Sequence, residues 1–377
     1  SLANGLGIGG MALVARRIGA GDREAAGHAA GQTMLMGVAV SLVLWVLGLA
    51  VARPLLILLG AQAEVLALGL AYLRVSLGGI ATLILNFVIY AMLRGAGEAR
   101  LSMRVLLFST ATTVLLEPVL IFGWGPIPTM GIAGAAIGSV ASFWFKAVCY
   151  AALLMRPRFD QVYRIRSGFS FDAKLIGTLL FFGFPTGLMY VTEAGGFTVI
   201  VLRIGSIGDV PLRATTMAIN FNMVAFIPLV GVSIAASVLV GRHLLQSGPA
   251  RAAKSVYAAL GLGAIYAGTW LIAYLVFPHV MISLYHFGEN GEDSLQAIAI
   301  AEGLLKFVAL YILLDAMQLI LAGSLRGAGD TWFVLGAGVA ASLLALSIGF
   351  LGEPSQDALR WWWQMVVLWI WLLATFM

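Results

Sequence analysis

Three side chains in this chain of 377 residues sit where little water is expected. Glu193 falls near the middle of an apolar stretch running from about 175 to 203, and Asp315 near the middle of another at 295–323. Tyr311 precedes Asp315 by four residues, about one helical turn, so phenol and carboxylate share a helix face and can share a ligand. An ionised carboxylate inside a membrane span is costly, which makes it a functional candidate by default. Two carboxylates and a phenol are hard oxygen donors that suit Na⁺ or a proton and suit thiophilic metals poorly. Brought together away from water, such a pair can keep a proton at neutral pH and release it for a cation. Neither acid has a basic residue at helical spacing to neutralise it.

Other polar residues in apolar stretches form a second tier. Glu117, beside Pro118 near the outer end of its segment, is a candidate second acid. Asn220, Asn222, Gln318 and Asn86 are candidate cavity-lining residues that could also hydrogen-bond across helices. Lys146 also lies within a span and can snorkel or pair with an acid. Glu302 and Lys306, four apart, are read as a local ion pair, and Trp361-Trp362-Trp363 as an interfacial belt. Pro185, eight residues before Glu193, removes a backbone donor and is expected to kink its helix.

Enzyme signatures are missing. The sequence contains no His-Glu-x-x-His, no Gly-x-Ser-x-Gly and no P-loop, so it reads as no enzyme and as not driven directly by ATP. No cofactor and no metal beyond a coupling ion is expected, and the four histidines form no ligand set. The single cysteine, Cys149, excludes an internal disulfide.

The elements that position these residues follow from composition. Hydrophobic residues make up 61% of the chain and charged ones 10%, against about 25% charged in a soluble domain. Such a chain belongs in a bilayer, as a multi-pass protein with lipid as its solvent. Runs of roughly 20 apolar residues mark spans at 1–15, 27–51, 65–93, 101–123, 131–155, 175–203, 214–241, 253–277, 295–323, 332–351 and 362–377. Basic residues crowd alternate loops, among them Arg16, Arg17 and Arg23, then Arg94, Arg100 and Arg104, then the stretch from Arg156 to Lys174. The opposite loops offer only Arg53, Arg203, Arg213 and Arg360, so the positive-inside rule places the first set in the cytoplasm. The net charge of +5 is thereby assigned to loops and not to nucleic-acid binding.

A repeat organises the spans. Arg94-Gly-Ala-Gly-Glu98 returns as Arg326-Gly-Ala-Gly-Asp330, 232 residues later. The segment Gly5–Arg16 resembles Gly231–Arg242 at an offset of 226. The expected fold is an all-α integral membrane protein of two pseudo-symmetric six-helix lobes. The N-lobe would take residues 1–155, without its first helix, which is expected to precede Ser1. A cytoplasmic linker would take 156–174, and the C-lobe 175–377, its last helix cut short. The paired pentapeptides are expected to be cytoplasmic turns with no part in the chemistry.

Four stretches together resemble the multidrug and toxic compound extrusion (MATE) family over essentially the whole chain. They are Ala15–Ala26; Glu117-Pro118 with Gly131–Ile137; Pro185–Glu193; and Asp315–Gln318 leading to Leu325–Thr331. The resemblance implies the two-lobed architecture of the MOP flippase superfamily. It also implies a secondary antiporter of the bacterial inner membrane that exports organic, often cationic, compounds in exchange for Na⁺ or H⁺. The C-lobe pattern is similar to the NorM-like branch, in which acids matching Glu193 and Asp315, with a tyrosine matching Tyr311, form the cation site. In the DinF-like branch the coupling acids lie in the N-lobe, one of them at the position of Glu117, where this chain has Glu in place of the usual Asp. The implied partners are a small organic molecule and the bilayer, with no nucleic acid, in a monomeric protein. The alternative reading is a related flippase for lipid-linked oligosaccharide or a peptidoglycan precursor, whose cavity would need several basic residues for phosphates.

Overall fold

The computed structural model describes residues 2–58, 63–124, 128–154, 171–283, 292–354 and 357–377. The regular elements among the described residues are thirteen helices. In order they are α1 (Leu2–Gly19), α2 (Arg23–Leu58), α3 (Ala63–Gly78), α4 (Ile80–Gly95), α5 (Ala99–Phe122), α6 (Gly131–Leu154) and α7 (Ala173–Gly205). There follow α8 (Asp209–Gln246), α9 (Pro249–Val276), α10 (Pro278–Ser283), α11 (Glu292–Ala328), α12 (Thr331–Leu351) and α13 (Ala358–Phe376). A helix satisfies its backbone groups within its own segment, which hydrocarbon demands.

Among the described residues, eight helices are long and apolar enough to cross a membrane, fewer than the eleven expected spans; α1 and α13, at the expected spans 1–15 and 362–377, are not among them. A ninth span arises if α3 and α4 are taken as one. The sequence reading treated 65–93 as a single span, and here the structure differs: Gly69–Gly78 and Ile80–Gly95 meet at a 43° bend. The amide of Gly79 closes a tight turn onto Ser76 O at 3.0 Å. A Cβ at Gly79 would come 2.8 Å from Val140 Cγ2 of α6, so the break also admits a neighbour's side chain.

The chain divides into two compact units, Ala3–Phe184 and Pro185–Met377, with Ser1–Leu2 assigned to the latter. The division falls inside α7, at Pro185. Of the expected linker 156–174, residues 156–170 lie outside the described residues. Helix α7 starts after Asp172, whose carboxylate accepts from the amides of Leu175 and Lys174, each at 3.0 Å. The amide of Leu175 in particular holds this carboxyl below its usual range.

The repeated pentapeptide has the same physical role in each unit. Its first glycine allows two helices to touch: a Cβ at Gly95 would come 2.7 Å from Met11 O, and one at Gly327 would fall onto the Ser237 backbone. Met11 and Ser237 are related by the same offset of 226 found in the sequence. The second glycine, Gly97 or Gly329, has positive φ, 84° and 98°, which a side chain would resist. In the second copy the closing acid, Asp330, caps α12 by accepting from Phe333 N at 3.2 Å.

Within Pro185–Met377, the α8–α11 crossing is a ridge of small residues. Gly323 and Gly327 lie against Ser233 and Ser237, close enough that neither glycine position has room for a Cβ. Ser233 Oγ donates to Leu319 O at 2.5 Å. Small residues four apart let helix backbones approach and gain packing where lipid offers no hydrophobic drive. This crossing fixes the rotation of α11, and with it the face on which Tyr311, Asp315 and Gln318 stand.

Two sequence expectations change at the periphery. Two of the three indoles read as an interfacial belt are core: Trp362 is fully buried and Trp363 nearly so, while Trp361 is only partly buried. Their N–H groups reach inward partners, Trp362 to Glu353 at 3.1 Å and Trp363 to Thr215 at 3.3 Å. An indole can be buried once its single donor is satisfied. Glu302 Oε1 is hydrogen-bonded to His279 Nδ1 at 2.6 Å, and among the described residues it makes no ion pair with Lys306, the expected partner. Arg203 at the end of α7 binds Glu353 at 2.8 Å, and this bond holds the Glu353 carboxyl below its usual range.

Candidate functional site

Helices α7, α8, α11 and α13 of the second unit enclose a cavity of about 390 Å³. Glu193, Asn222, Tyr311, Asp315 and Gln318 all line it. Residues from three helices, the outermost more than a hundred positions apart, thus line one cavity, and five of the sequence candidates stand on its surface. Tyr311, Asp315 and Gln318 are buried, with exposures of 3%, 5% and 4%, while Glu193 is half-buried. Positions 311, 315 and 318 follow the four- and three-residue spacing that keeps side chains on one helix face.

The polar atoms in the cavity are mostly oxygen, and several lack partners. Gln318 Nε2 donates to Asp315 Oδ1 at 3.1 Å, orienting the carboxylate. That bond leaves Gln318 Oε1 buried with no hydrogen-bond partner among the described residues, and Asn222 Oδ1 is in the same state. Buried acceptors without donors are costly in a protein interior, and a bound cation or protonated ligand would satisfy them. The lining residues thus offer two carboxylates, a phenol and two amides, groups whose oxygens are of the hard type that suits a small cation. Among the described residues no group of three or more His, Cys, Asp and Glu is placed to hold a metal ion.

The remaining walls are apolar and aromatic, including Phe197, Phe226, Trp363 and Trp369. Trp369 packs on Gly196, where a Cβ would come 3.1 Å from the indole, and its Nε1 is buried without a partner. Flat aromatic walls beside carboxylates suit an organic cation, which gains from ring faces as well as from charge.

Not every candidate joins this surface. Asn220 does not line the cavity and is exposed, whereas Asn222 does line it. Two residues along a helix are about 200° apart, so one neighbour facing in sends the other out. Glu117 and Asn86 belong to the other unit. Glu117 Oε1 accepts from Ser139 Oγ at 2.6 Å and packs against Gly138. Asn86 donates to Phe143 O at 2.7 Å and lines a separate cavity of about 230 Å³ with Tyr90, Phe143, Lys146 and Tyr150. Asn86 stands at the repeat position of Gln318, but the position matching Asp315 is Leu83.

Arg326 is the residue that sequence reasoning misplaced. It was expected in a cytoplasmic turn, yet it is buried in the last turn of α11. Its Nε donates to Ala322 O at 3.1 Å, and its Nη1 lies 3.4 Å from the hydroxyl of Tyr190, which lines the cavity. The guanidinium also stands 5.8 Å from the Tyr190 ring centre. Tyr190 and Glu193 are three apart on α7, so Arg326 brings positive charge about one turn from the carboxylate. The signal available in the sequence was the long arm of arginine at a helix end, which can turn inward as well as outward. A Tyr190→Phe protein should lose about 1 kcal/mol of stability, for one long hydrogen bond to the guanidinium, and Arg326→Met about 2 kcal/mol, because it also loses the bond to Ala322. Thermal unfolding in detergent measures this, and unchanged midpoints would mean that the contact adds nothing.

Comparison with known proteins places these features in a family. The MatE family model matches residues 1–119 and 185–351. A probable multidrug resistance protein NorM from Rhizobium meliloti is 28% identical over 326 residues, covering 85% of this chain and 68% of that protein. A probable NorM from Deinococcus radiodurans is 29% identical, covering 86% and 71%. The multidrug resistance protein PmpM of Pseudomonas aeruginosa is 30% identical, covering 85% and 66%. Among solved structures, a MOP superfamily transporter from Pyrococcus furiosus superposes with a TM-score of 0.89 at 20% identity, over 99% of this chain and 82% of that one. An outward-facing multidrug resistance MATE family transporter gives the same TM-score at 21% identity and the same coverage. These two likenesses establish the fold.

Proposed function

Because the chain belongs to the MatE family, we propose that it is a multidrug efflux antiporter, exporting organic, chiefly cationic, compounds across the bacterial inner membrane. The exchanged ion is Na⁺ or H⁺, taken up at Glu193, Asp315 and Tyr311, with Asn222 and Gln318 as neutral oxygen donors. One observation carries this reading: two carboxylate and two amide side chains line a single cavity with aromatic walls. A coupling ion and an organic cation then compete for the same negative charge. Binding of either shifts the protein only by the difference in its affinity for the two access states. The protein acts without an organic cofactor and as a monomer.

The flippase alternative needs basic groups facing a phosphate. Among the described residues the cavity lining holds two acids and no Lys or Arg, and the one nearby base, Arg326, is bonded to Ala322 and Tyr190, which favours the antiporter. Reconstitution in liposomes with a fluorescent cationic dye tests the proposal. Efflux should follow an imposed Na⁺ or pH gradient and stop when the driving gradient is collapsed. Dye transport indifferent to both gradients, or transport of a lipid-linked sugar alone, would overturn it.

A further inference from the structure

A different set of α8 residues forms an apolar groove with α9 on the outside of the same unit, of about 630 Å³. Pro228, Gly231, Val232 and Leu239 line one wall, and Ala259 and Leu262 the other. Leu239 and Leu262 are 42% and 59% exposed, so the groove opens outward. Arg251 and Lys254, both exposed, stand at one end, near the start of α9. The sequence contains no Asp or Glu between Asp209 and Glu289, so neither helix α8 nor α9 beyond Asp209 offers these bases a counter-charge. Among the described residues no ion pair involves either base.

The depth of the groove suits one leaflet. Leu262 lies eight residues beyond Lys254, about 12 Å along the helix, within the roughly 15 Å of half a hydrocarbon core. The positive-inside rule puts the basic end at the cytoplasmic surface, where anionic lipids concentrate. Paired, unneutralised bases above an apolar groove complement a molecule with a negative head and an acyl tail. We propose that this groove holds one anionic phospholipid of the cytoplasmic leaflet, its phosphate against Arg251 and Lys254 and an acyl chain between α8 and α9. Basic pockets between transmembrane helices bind such headgroups for this reason. The inference requires only that the chain spans a bilayer, and does not depend on the coupling ion.

Native mass spectrometry of the full chain, released from bilayers of phosphatidylglycerol and phosphatidylcholine, measures the lipid retained. Phosphatidylglycerol should be held in preference, at one molecule per chain. Arg251→Gln with Lys254→Gln should lower that preference roughly 30-fold, the combined weight of two bases near an anionic surface. Gly231→Leu should expel both lipids, because a side chain there enters open groove space, with nothing within 4 Å of its Cβ. Arg100→Gln with Arg104→Gln removes the same charge elsewhere and should leave retention intact. Equal retention of the two lipids by the unaltered protein would overturn the site, as would an equal loss in the Arg100/Arg104 variant. Full retention in Gly231→Leu, or a lipid-free dimer closing the groove, would do the same.

Discussion

Glu193→Gln combined with Asp315→Asn should abolish gradient-driven efflux while leaving the protein folded. Each carboxamide keeps the shape and hydrogen-bonding reach of the acid and removes only its charge. The Gln318–Asp315 hydrogen bond at 3.1 Å can persist in the variant, because an amide oxygen accepts as a carboxylate does. Neutralising Asp315, buried with no ion pair among the described residues, relieves a desolvation cost, while neutralising Glu193 gives up its attraction to Arg326, so the variant should stay folded with little net change in stability. Transport should fall by far more than the roughly 10–100-fold that losing a supporting contact costs an ion site. Single variants should each lose coupling, and Tyr311→Phe should fall between them and the unaltered protein. Initial efflux rates in liposomes, normalised to reconstituted protein, give the readout. Normal rates in the double variant at normal yield would remove these residues from the mechanism.

Gly327→Leu and Gly323→Leu should each prevent recovery of folded protein, although both lie on a helix that leucine favours. A Cβ at either position falls onto the Ser233 or Ser237 region of α8, so the two helices must separate. Overpacking of this kind costs about 1–3 kcal/mol. Separation also breaks the Ser233–Leu319 hydrogen bond, adding about 1 kcal/mol. Gly303→Leu on the same helix is the control, because nothing lies within 4 Å of a Cβ there. Relief of the glycine penalty should make that variant slightly more stable, by up to about 1 kcal/mol. Size-exclusion profiles and unfolding midpoints separate the cases. A monodisperse, stable Gly327→Leu protein would show that the α8–α11 contact is not what sets α11 in place.

The paired pentapeptides show how far a linear pattern reaches. Their recurrence implies duplication, and the structure gives the reason each letter recurs: one glycine for helix contact, one for positive φ, one acid at the start of the next helix. The first letter behaves differently. Arg94 stacks on Tyr90 within its own helix, its guanidinium 3.7 Å from the ring centre, whereas Arg326 reaches across to Tyr190 on α7. Identical letters therefore take different partners, because an arginine's long arm goes wherever the surrounding helices leave it an acceptor.

By itself, the sequence determined the solvent of this protein, its all-helical character, most of the approximate spans and the helix faces. Those properties depend on composition and on a periodicity of three to four residues, which are local. It also marked Glu193, Tyr311 and Asp315, since charge in an apolar run is visible without coordinates. Only the tertiary structure decided that Glu193 and Asp315 share a cavity, that Asn222 joins them while Asn220 turns away, and that Trp362 and Trp363 are core. Helical periodicity says which side chains stand together on one helix. Which faces meet across helices is set by close approach at glycine and serine ridges and by where each buried donor finds an acceptor, and those contacts join residues far apart in the chain.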